Sequence, residues 1–329
     1  MKKISVIVPV FNEEKLIKDC LDTLISQNYP KNDFEIIIVN DGSTDNTFKA
    51  IKRKQNEAKG KGVIVRVINL EKNKGWIIAR ETGAINAKYD NLLFIDSRCT
   101  AAKEVLKNIK KINYQPILGN PLVDFRKSNL ARFNLLFRKK LYPHYFGENF
   151  EPVFLTENNF DDIPKGTTIF FCNKKLFLSS QPRVKTKFVS DDIKLLRNIT
   201  QQTKILKHPD VKIIYSPRTS LQEEIKHTFE RGPRFVDYYL NLKKKRFWFF
   251  VFLPLSVLIF MIILLFINLI RFQQLLGFLA IFWILVSIWL AENIKDFFIV
   301  MIYLPIIGFS FEIGMLKGLL FKLFRKIKK

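Results

Sequence analysis

The stretch Val39-Asn40-Asp41-Gly42-Ser43-Thr44-Asp45 decides how this chain is read. An apolar run, Phe34 to Val39, leads into it, and a helix-like run, Asn46 to Lys54, leads out. A strand that ends in carboxylate, glycine and hydroxyl and then feeds a helix can build a polar pocket. Open α/β sheets bind their ligands outside the carboxyl ends of the strands. The plainer reading is a strand–helix turn in which Asp45 or Thr44 caps the helix N-terminus.

The sequence on either side repeats the pattern. Ile4-Ser5-Val6-Ile7-Val8-Pro9-Val10 is β-branched and almost wholly apolar, as suits a central parallel strand buried on both faces. Asn12 is placed to cap the next helix, with Glu13 and Glu14 favourable to its dipole. Leu16, Ile17, Cys20, Leu21, Leu24 and Ile25 then form an apolar stripe at helical spacing, up to about Gln27. Val63 to Ile68 is a third strand. Asn73-Lys74-Gly75 is a turn, Trp76 to Ala87 a helix, and Asn91 to Ile95 a fourth strand ending in Asp96-Ser97-Arg98. Further on, Gly166 to Phe171 reads as a strand entering from a turn, and Asp191-Asp192 opens a helix. Alternating strands and helices predict βαβ units and a parallel sheet. Right-handed crossovers bring Asn12-Glu13, Asp41 and Asp96 to one sheet edge. Arg80, on the helix after Gly75, reads as an exposed helix face.

The 329 residues suffice for one large or two ordinary domains. Lys+Arg is 54 against 30 Asp+Glu, a formal charge of +24, which predicts an anionic partner: nucleic acid, acidic lipid or phosphorylated substrate. Residues 122–150 interleave Arg126, Lys127, Arg132, Arg138, Lys139 and Lys140 with aromatic and aliphatic side chains. That pattern fits nucleic acid or an amphipathic segment on an anionic membrane. The long apolar runs after Arg246 favour the membrane over nucleic acid. Phe247 to Ile270 is almost uninterrupted apolar chain, long enough for a span. Leu275 to Ala291 and Phe297 to Phe321 are further candidates, the last interrupted by Glu312 and Lys317. Lys243-Lys244-Lys245-Arg246 places the preceding domain in the cytoplasm, and the basic tail prefers the same side. Three full spans would put that tail outside. Either two segments span and one is interfacial, or the charge rule is broken once. Cys20, Cys99 and Cys172 lack metal-ligand spacing and read as reduced core thiols. His144, His208 and His227 are too dispersed for a metal set.

Ile4 to Glu14, Val39 to Asp45 and Asn73-Lys74-Gly75 together resemble the inverting family-two glycosyltransferases of the GT-A fold. The resemblance covers residues 1 to about 240. It implies an α/β fold with a Rossmann-like, mixed, mostly parallel sheet flanked by helices, followed here by C-terminal transmembrane helices. Residues 1–115 would form the nucleotide-sugar-binding half, 116–242 the acceptor-binding half with the base and a basic motif, and 243–329 a membrane region of two or three helices. The implied activity is transfer of a sugar from a nucleotide-sugar to a lipid-linked or cell-surface saccharide acceptor, by a multi-pass protein of the cell membrane. A catalytically degenerate membrane scaffold is the alternative.

Residue by residue, the resemblance assigns Pro9, Phe11, Glu13, Asp41, Asn73 and Gly75 to the nucleotide, Asp41 accepting an imide N–H of the base. Asp96 matches the first aspartate of an Asp-x-Asp element that holds Mg²⁺ or Mn²⁺ against phosphates. The third position is Arg98, so either Asp96 alone holds the metal or Arg98 partly replaces it. Asp191-Asp192 matches a catalytic acidic pair, with Asp192 as general base. Arg231 and Arg234 match a Gln-x-x-Arg-Trp element whose cations, with Arg98, face the pyrophosphate. Arg231 and Phe235 replace its glutamine and tryptophan, which argues against a cellulose-synthase-like processive enzyme.

Overall fold

The computed structural model describes residues 2–145, 150–182, 191–240 and 248–327. β1 (Ile4–Val10), α1 (Glu14–Ile25), β2 (Phe34–Asn40), α2 (Thr47–Gly60), β3 (Ile64–Asn69), α3 (Trp76–Ile85) and β4 (Asn91–Ile95) alternate as expected. β5 (Cys99–Ala101), α4 (Val105–Ile112), β6 (Ile117–Val123), α5 (Asn129–Leu141), β7 (Val153–Leu155), β8 (Ile169–Asn173), α6 (Lys174–Ser179), α7 (Asp191–Thr200) and β9 (Ile205–Tyr215) follow. After them come α8 (Leu221–Tyr239), α9 (Trp248–Ile267), α10 (Leu269–Leu290) and α11 (Ile294–Ile327).

The chain divides into two compact units. The first holds the nine described strands in one sheet, ordered β3-β2-β1-β4-β8-β6-β9-β5, with β7 beside β9. β1 pairs in parallel with β2 and β4, and β2 with β3, so four carboxyl ends share one edge. β8 enters antiparallel between β4 and β6. Every residue of β1 and β2 is buried, which is why those runs are continuously apolar rather than alternating. Of the three polar exceptions, Ser5 and Glu35 satisfy each other, Ser5 donating to Glu35 Oε1 at 2.7 Å where the Lys88 N–H also donates, and Asn40 Nδ2 donates to Asn69 Oδ1 at 2.5 Å. Ile17, Cys20, Leu21 and Leu24 bury one face of α1 in this core. Cys20, Cys99 and Cys172 are buried and unbridged.

Asn12 does not cap α1. Its φ is +51°, and its side chain turns across to the β2–α2 loop, where Oδ1 accepts from the Thr44 N–H at 2.8 Å. The capping comes from that loop instead. Thr47 Oγ1 accepts from the Glu13 N–H at 2.8 Å, and Asp45 accepts from the N–H groups of Glu14 and Thr47. The N-cap position of α2 is Asn46, one residue past Asp45, but the Asp45 carboxylate accepts N–H groups at the first residues of both α1 and α2.

The second unit holds α5 and α8 to α11. Phe133 and Leu136 of α5 pack with Leu290, Ile299 and Val300. Arg132 donates to Asp296 at 2.9 and 2.7 Å and to Glu292 at 2.8 Å. α10 and α11 are long and apolar enough to cross a membrane. Lys243 to Arg246, Lys328 and Lys329, which carried the reading of sidedness, lie outside the described residues.

Candidate active site

The end of β2 fixes a loop. The Asp41 N–H donates to the Val10 carbonyl at 2.8 Å, continuing the β1–β2 ladder one residue past the strands. Its carboxylate is buried and accepts two backbone N–H groups, Lys74 on Oδ1 and Gly75 on Oδ2, each at 2.8 Å. Asp41 thus holds the Asn73–Gly75 turn against the strand end. The approach is so close that a Cβ on Gly42, whose φ is +69°, would stand 2.5 Å from the Lys72 carbonyl carbon. Gly75 has φ +93° and precedes α3 directly, so glycine is the residue that turns the chain there without strain. Pro9 lies within β1 opposite Val39, and Phe11 beyond it is 41% exposed.

The ends of β1 and β4 are tied by charge. Arg98 Nη1 meets both carboxylate oxygens of Glu13, at 2.8 and 3.0 Å, and Arg98 Nε donates to the Ser216 carbonyl at 3.2 Å. The guanidinium expected to face phosphate is therefore already paired with another residue assigned to the nucleotide.

The third group was not expected. Arg80 is only 4% exposed, although the sequence reads it as an exposed helix face. Its Nη2 donates to Asp96 Oδ1 at 2.6 Å and its Nη1 to Asp192 Oδ1 at 2.7 Å. It also donates to the hydroxyl and carbonyl of Thr167, and it stacks over Trp76 at 4.7 Å from the ring centroid. The Thr167 hydroxyl in turn donates to Asp192 Oδ1. One buried cation thus joins β4, α3, the turn before β8, and α7. Ile77, Arg80 and Ala84 are the signal that could have found it. They sit at i, i+3 and i+7 on the buried stripe of α3.

Burial raises the proton affinity of Asp96; Arg80 opposes this and Asp192 adds to it. Arg80 itself is held fully charged, burial working against the charge and Asp192 and Asp96 more than restoring it. Asp96 and Asp192 remain about a third exposed, at 32% and 31% of their side chains. Asp191 opens α7 beside them, but its side chain lies outside the described residues.

Among the described residues there is no cluster of three or more His, Cys, Asp or Glu side chains fit to hold a metal. A magnesium-type ion is often held by only one or two carboxylates plus substrate phosphates, and Asp96 fits that donor set. Arg98 does not, since a guanidinium has no acceptor. Arg231 and Arg234 lie on α8, in the second unit, as does His227.

A mixed sheet with acidic ends on its parallel half is the GT-A fold. The chain belongs to glycosyl transferase family 2, whose model matches residues 5–173. A mannosyltransferase of Pyrobaculum calidifontis, solved with GDP-mannose and Mn²⁺, aligns over 96% of this chain and 87% of its own, with TM-score 0.60 and 17% identity. That likeness is one of fold. A poly(ribitol-phosphate) beta-glucosyltransferase of Bacillus spizizenii is 42% identical over 105 residues, 32% of this chain and 16% of that protein. A dolichyl N-acetyl-alpha-D-glucosaminyl phosphate 3-beta-D-2,3-diacetamido-2,3-dideoxy-beta-D-glucuronosyltransferase of Methanococcus voltae is 35% identical over 108 residues, 33% of each chain. The matched stretch spans a third or less of the length of these two curated relatives.

Proposed function

We propose that this chain is a membrane-bound, inverting glycosyltransferase that moves a sugar from a nucleotide-sugar to a lipid-linked or cell-surface saccharide acceptor. The observation that carries this reading is Arg80 holding Asp96 and Asp192 together at the sheet edge, next to the loop that Asp41 fixes. Inverting transfer needs a base for the acceptor hydroxyl, neutralisation of the leaving nucleoside diphosphate, and alignment of both substrates. The residues of the site divide along those lines.

Asp192 is the base. Its Oδ1 is committed to Arg80 and Thr167, and its Oδ2 carries no hydrogen bond among the described residues. That oxygen takes the proton. Asp191 stands beside it as the other member of the acidic pair. Asp41, Pro9, Phe11, Glu13, Asn73 and Gly75 line the nucleotide end. Asp96 would hold a divalent ion, Mg²⁺ or Mn²⁺, which when bound stabilises charge on the departing diphosphate. Arg98 with Arg231 and Arg234 would supply further positive charge to that group. Arg98 can do so only by exchanging or sharing its contact with Glu13. The domain assignments follow: 1–115 for the donor, 116–242 for the acceptor, 243–329 for the membrane, with the catalytic part in the cytoplasm. The two relatives named for polymer and dolichyl-linked acceptors support that acceptor class. A degenerate scaffold rested on Arg98 alone and finds no support in the family match.

The test is Asp192→Asn assayed in membranes, with calorimetry of UDP and GDP in the presence and absence of Mn²⁺. The expected result is loss of about 10²–10⁴ in kcat with diphosphate binding retained. Full activity would remove Asp192 as base, and absence of diphosphate binding in the wild type would remove the enzyme reading.

A further inference from the structure

α11 has 34 residues. At 1.5 Å per residue it is ~51 Å long, against ~30 Å of bilayer hydrocarbon. What covers it within its own unit decides how it meets the membrane. Near its start, Asp296 takes Arg132 of α5, and Ile299 and Val300 bury Phe133 and Leu136. Further along it packs backbone to backbone on α8. A Cβ on Gly314 would stand 2.2 Å from the Phe229 carbonyl oxygen, and one on Gly232 would stand 2.3 Å from the Gly314 carbonyl carbon. Ser310 Oγ donates to the Ile225 carbonyl at 2.7 Å, and Lys317 Nζ lies over the Phe229 ring at 4.9 Å. One face of α11 is therefore occupied from Asp296 to Lys317 by two helices that carry charge.

The free face is different. Phe298, Ile302, Phe309, Ile313, Leu320 and Phe324 are all at least 40% exposed. Their spacings of four, seven, four, seven and four residues make a single straight stripe. A helix crossing lipid needs apolar surroundings or buried polar partners on every side. Here α5 exposes Arg138, Lys139 and Lys140, and α8 exposes Glu223, Lys226, Glu230 and Arg231. Each such charge at the bilayer centre would cost about 2.5–3.5 kcal/mol on the insertion scale. Lying in the interface, with the stripe in lipid and the charges among headgroups, avoids that.

The chain path fixes the rest. α5 is joined at both ends to the strand-bearing unit, through β6 before it and β7 after it. Leu290, the last residue of α10, packs on α5, so α10 ends on the catalytic side. α9 starts there too, because the chain from Leu240 to Trp248 is too short to cross ~30 Å even when fully extended. The break between α9 and α10 is then at the far side. Asn268 is extended there, and its Oδ1 accepts from the Arg271 N–H at 3.0 Å. Arg271, Gln273 and Gln274 beside it are exposed, a polar run inside an apolar stretch, as headgroups require.

We propose that α9 and α10 cross the bilayer as an in-and-out pair, while α11 lies with α5 and α8 as a surface layer on the catalytic side, its apolar stripe in contact with lipid. The basic tail, with Lys322, Arg325 and Lys326, then stays on that side, and the charge rule is kept. The proposal rests on the membrane-bound reading of the chain.

Single cysteines at Lys295, Gln274 and Lys326 test it, with a membrane-impermeant maleimide applied to intact cells and to inside-out vesicles. The native cysteines are buried, and the wild type controls for them. Lys295→Cys and Lys326→Cys should label from one face, and Gln274→Cys from the other. Labelling of 295 and 326 from opposite faces would show that α11 crosses and overturn the proposal. Labelling of all three from one face would overturn the α9–α10 crossing. Release of the wild type by alkaline carbonate would instead remove the membrane-bound reading on which the proposal stands.

Discussion

Arg80 on α3 and Asp192 on α7, 112 positions apart in the chain, are joined by a 2.7 Å ion pair, and the same guanidinium holds Asp96 at 2.6 Å. Removing that cation leaves two partly buried carboxylates without the charge that joins them. The destabilisation of Arg80→Met should fall near the low end of the ~3–5 kcal/mol for breaking a buried pair, because both acids keep contact with water. The sharper effect is on titration. Without the cation, burial and the neighbouring Asp192 carboxylate raise the proton affinity of Asp96 unopposed, so Asp96 stays protonated, and less able to hold a divalent ion, to higher pH. The acid limb of the kcat profile should move up in Arg80→Met, with activity partly recovered as pH rises. Arg80→Lys keeps the charge and should keep the limb while lowering kcat. An unmoved limb in Arg80→Met would mean that Arg80 is only a packing element.

Asp41 makes a different kind of contribution. Its carboxylate satisfies the N–H groups of Lys74 and Gly75, and each donor left buried without an acceptor costs about 1–3 kcal/mol. Asp41→Ala should therefore loosen the Asn73–Gly75 turn and weaken nucleoside diphosphate binding, raising KM for the donor more than it lowers kcat. Calorimetric titration of the variant measures this directly. Unchanged affinity would confine Asp41 to holding the turn.

Much of the fold is legible in local pattern. Uninterrupted β-branched runs could only be doubly buried parallel strands, and strands that end in acid define the edge on which Asp41 and Asp96 sit. Arg80 reads as exposed because a single arginine on an amphipathic helix is normally solvated. What buries it is a pair of acids, one of them more than a hundred residues further on. The position of β8, antiparallel between β4 and β6, was hidden for a similar reason, since its partners lie far apart in sequence. Asn12 was assigned as a cap by its type. The loop holding Thr44 and Asp45 displaced it, a tertiary effect that no local pattern carries.

Asp45 gives a pH-dependent increment of stability. Burial disfavours its charge, but bonds from Thr47 and Glu14 outweigh that and hold the carboxyl below its ordinary range. A carboxyl depressed in the folded state contributes fully above its unfolded pKa, and the contribution is lost as pH falls through the lower folded value. Asp45→Ala should cost about 1 kcal/mol at neutral pH, as a lost helix cap does, and the gap from wild type should close in acid. Thermal unfolding of both proteins across that pH range checks it; a gap that widens in acid has the wrong sign.

The last prediction concerns Arg132, which anchors α5 to α11. Asp296 is 2% exposed and receives two of its bonds, and Glu292 receives a third. These acids lower the proton release of Arg132 still further, through the Asp296 bonds first, so the pair stays ionised at any working pH. Arg132→Ala would leave a buried carboxylate without its cation, which typically costs ~3–5 kcal/mol. Arg132→Lys cannot reach both acids with a planar fork and should recover only part of that. Arg132→Ala combined with Asp296→Ala removes the orphaned charge as well, so the double variant should melt higher than Arg132→Ala alone. Thermal melting of the three variants in detergent decides it. If the double variant is no more stable than the single one, the loss comes from packing against Phe125, whose ring lies 5.4 Å from the guanidinium carbon, rather than from the stranded carboxylate.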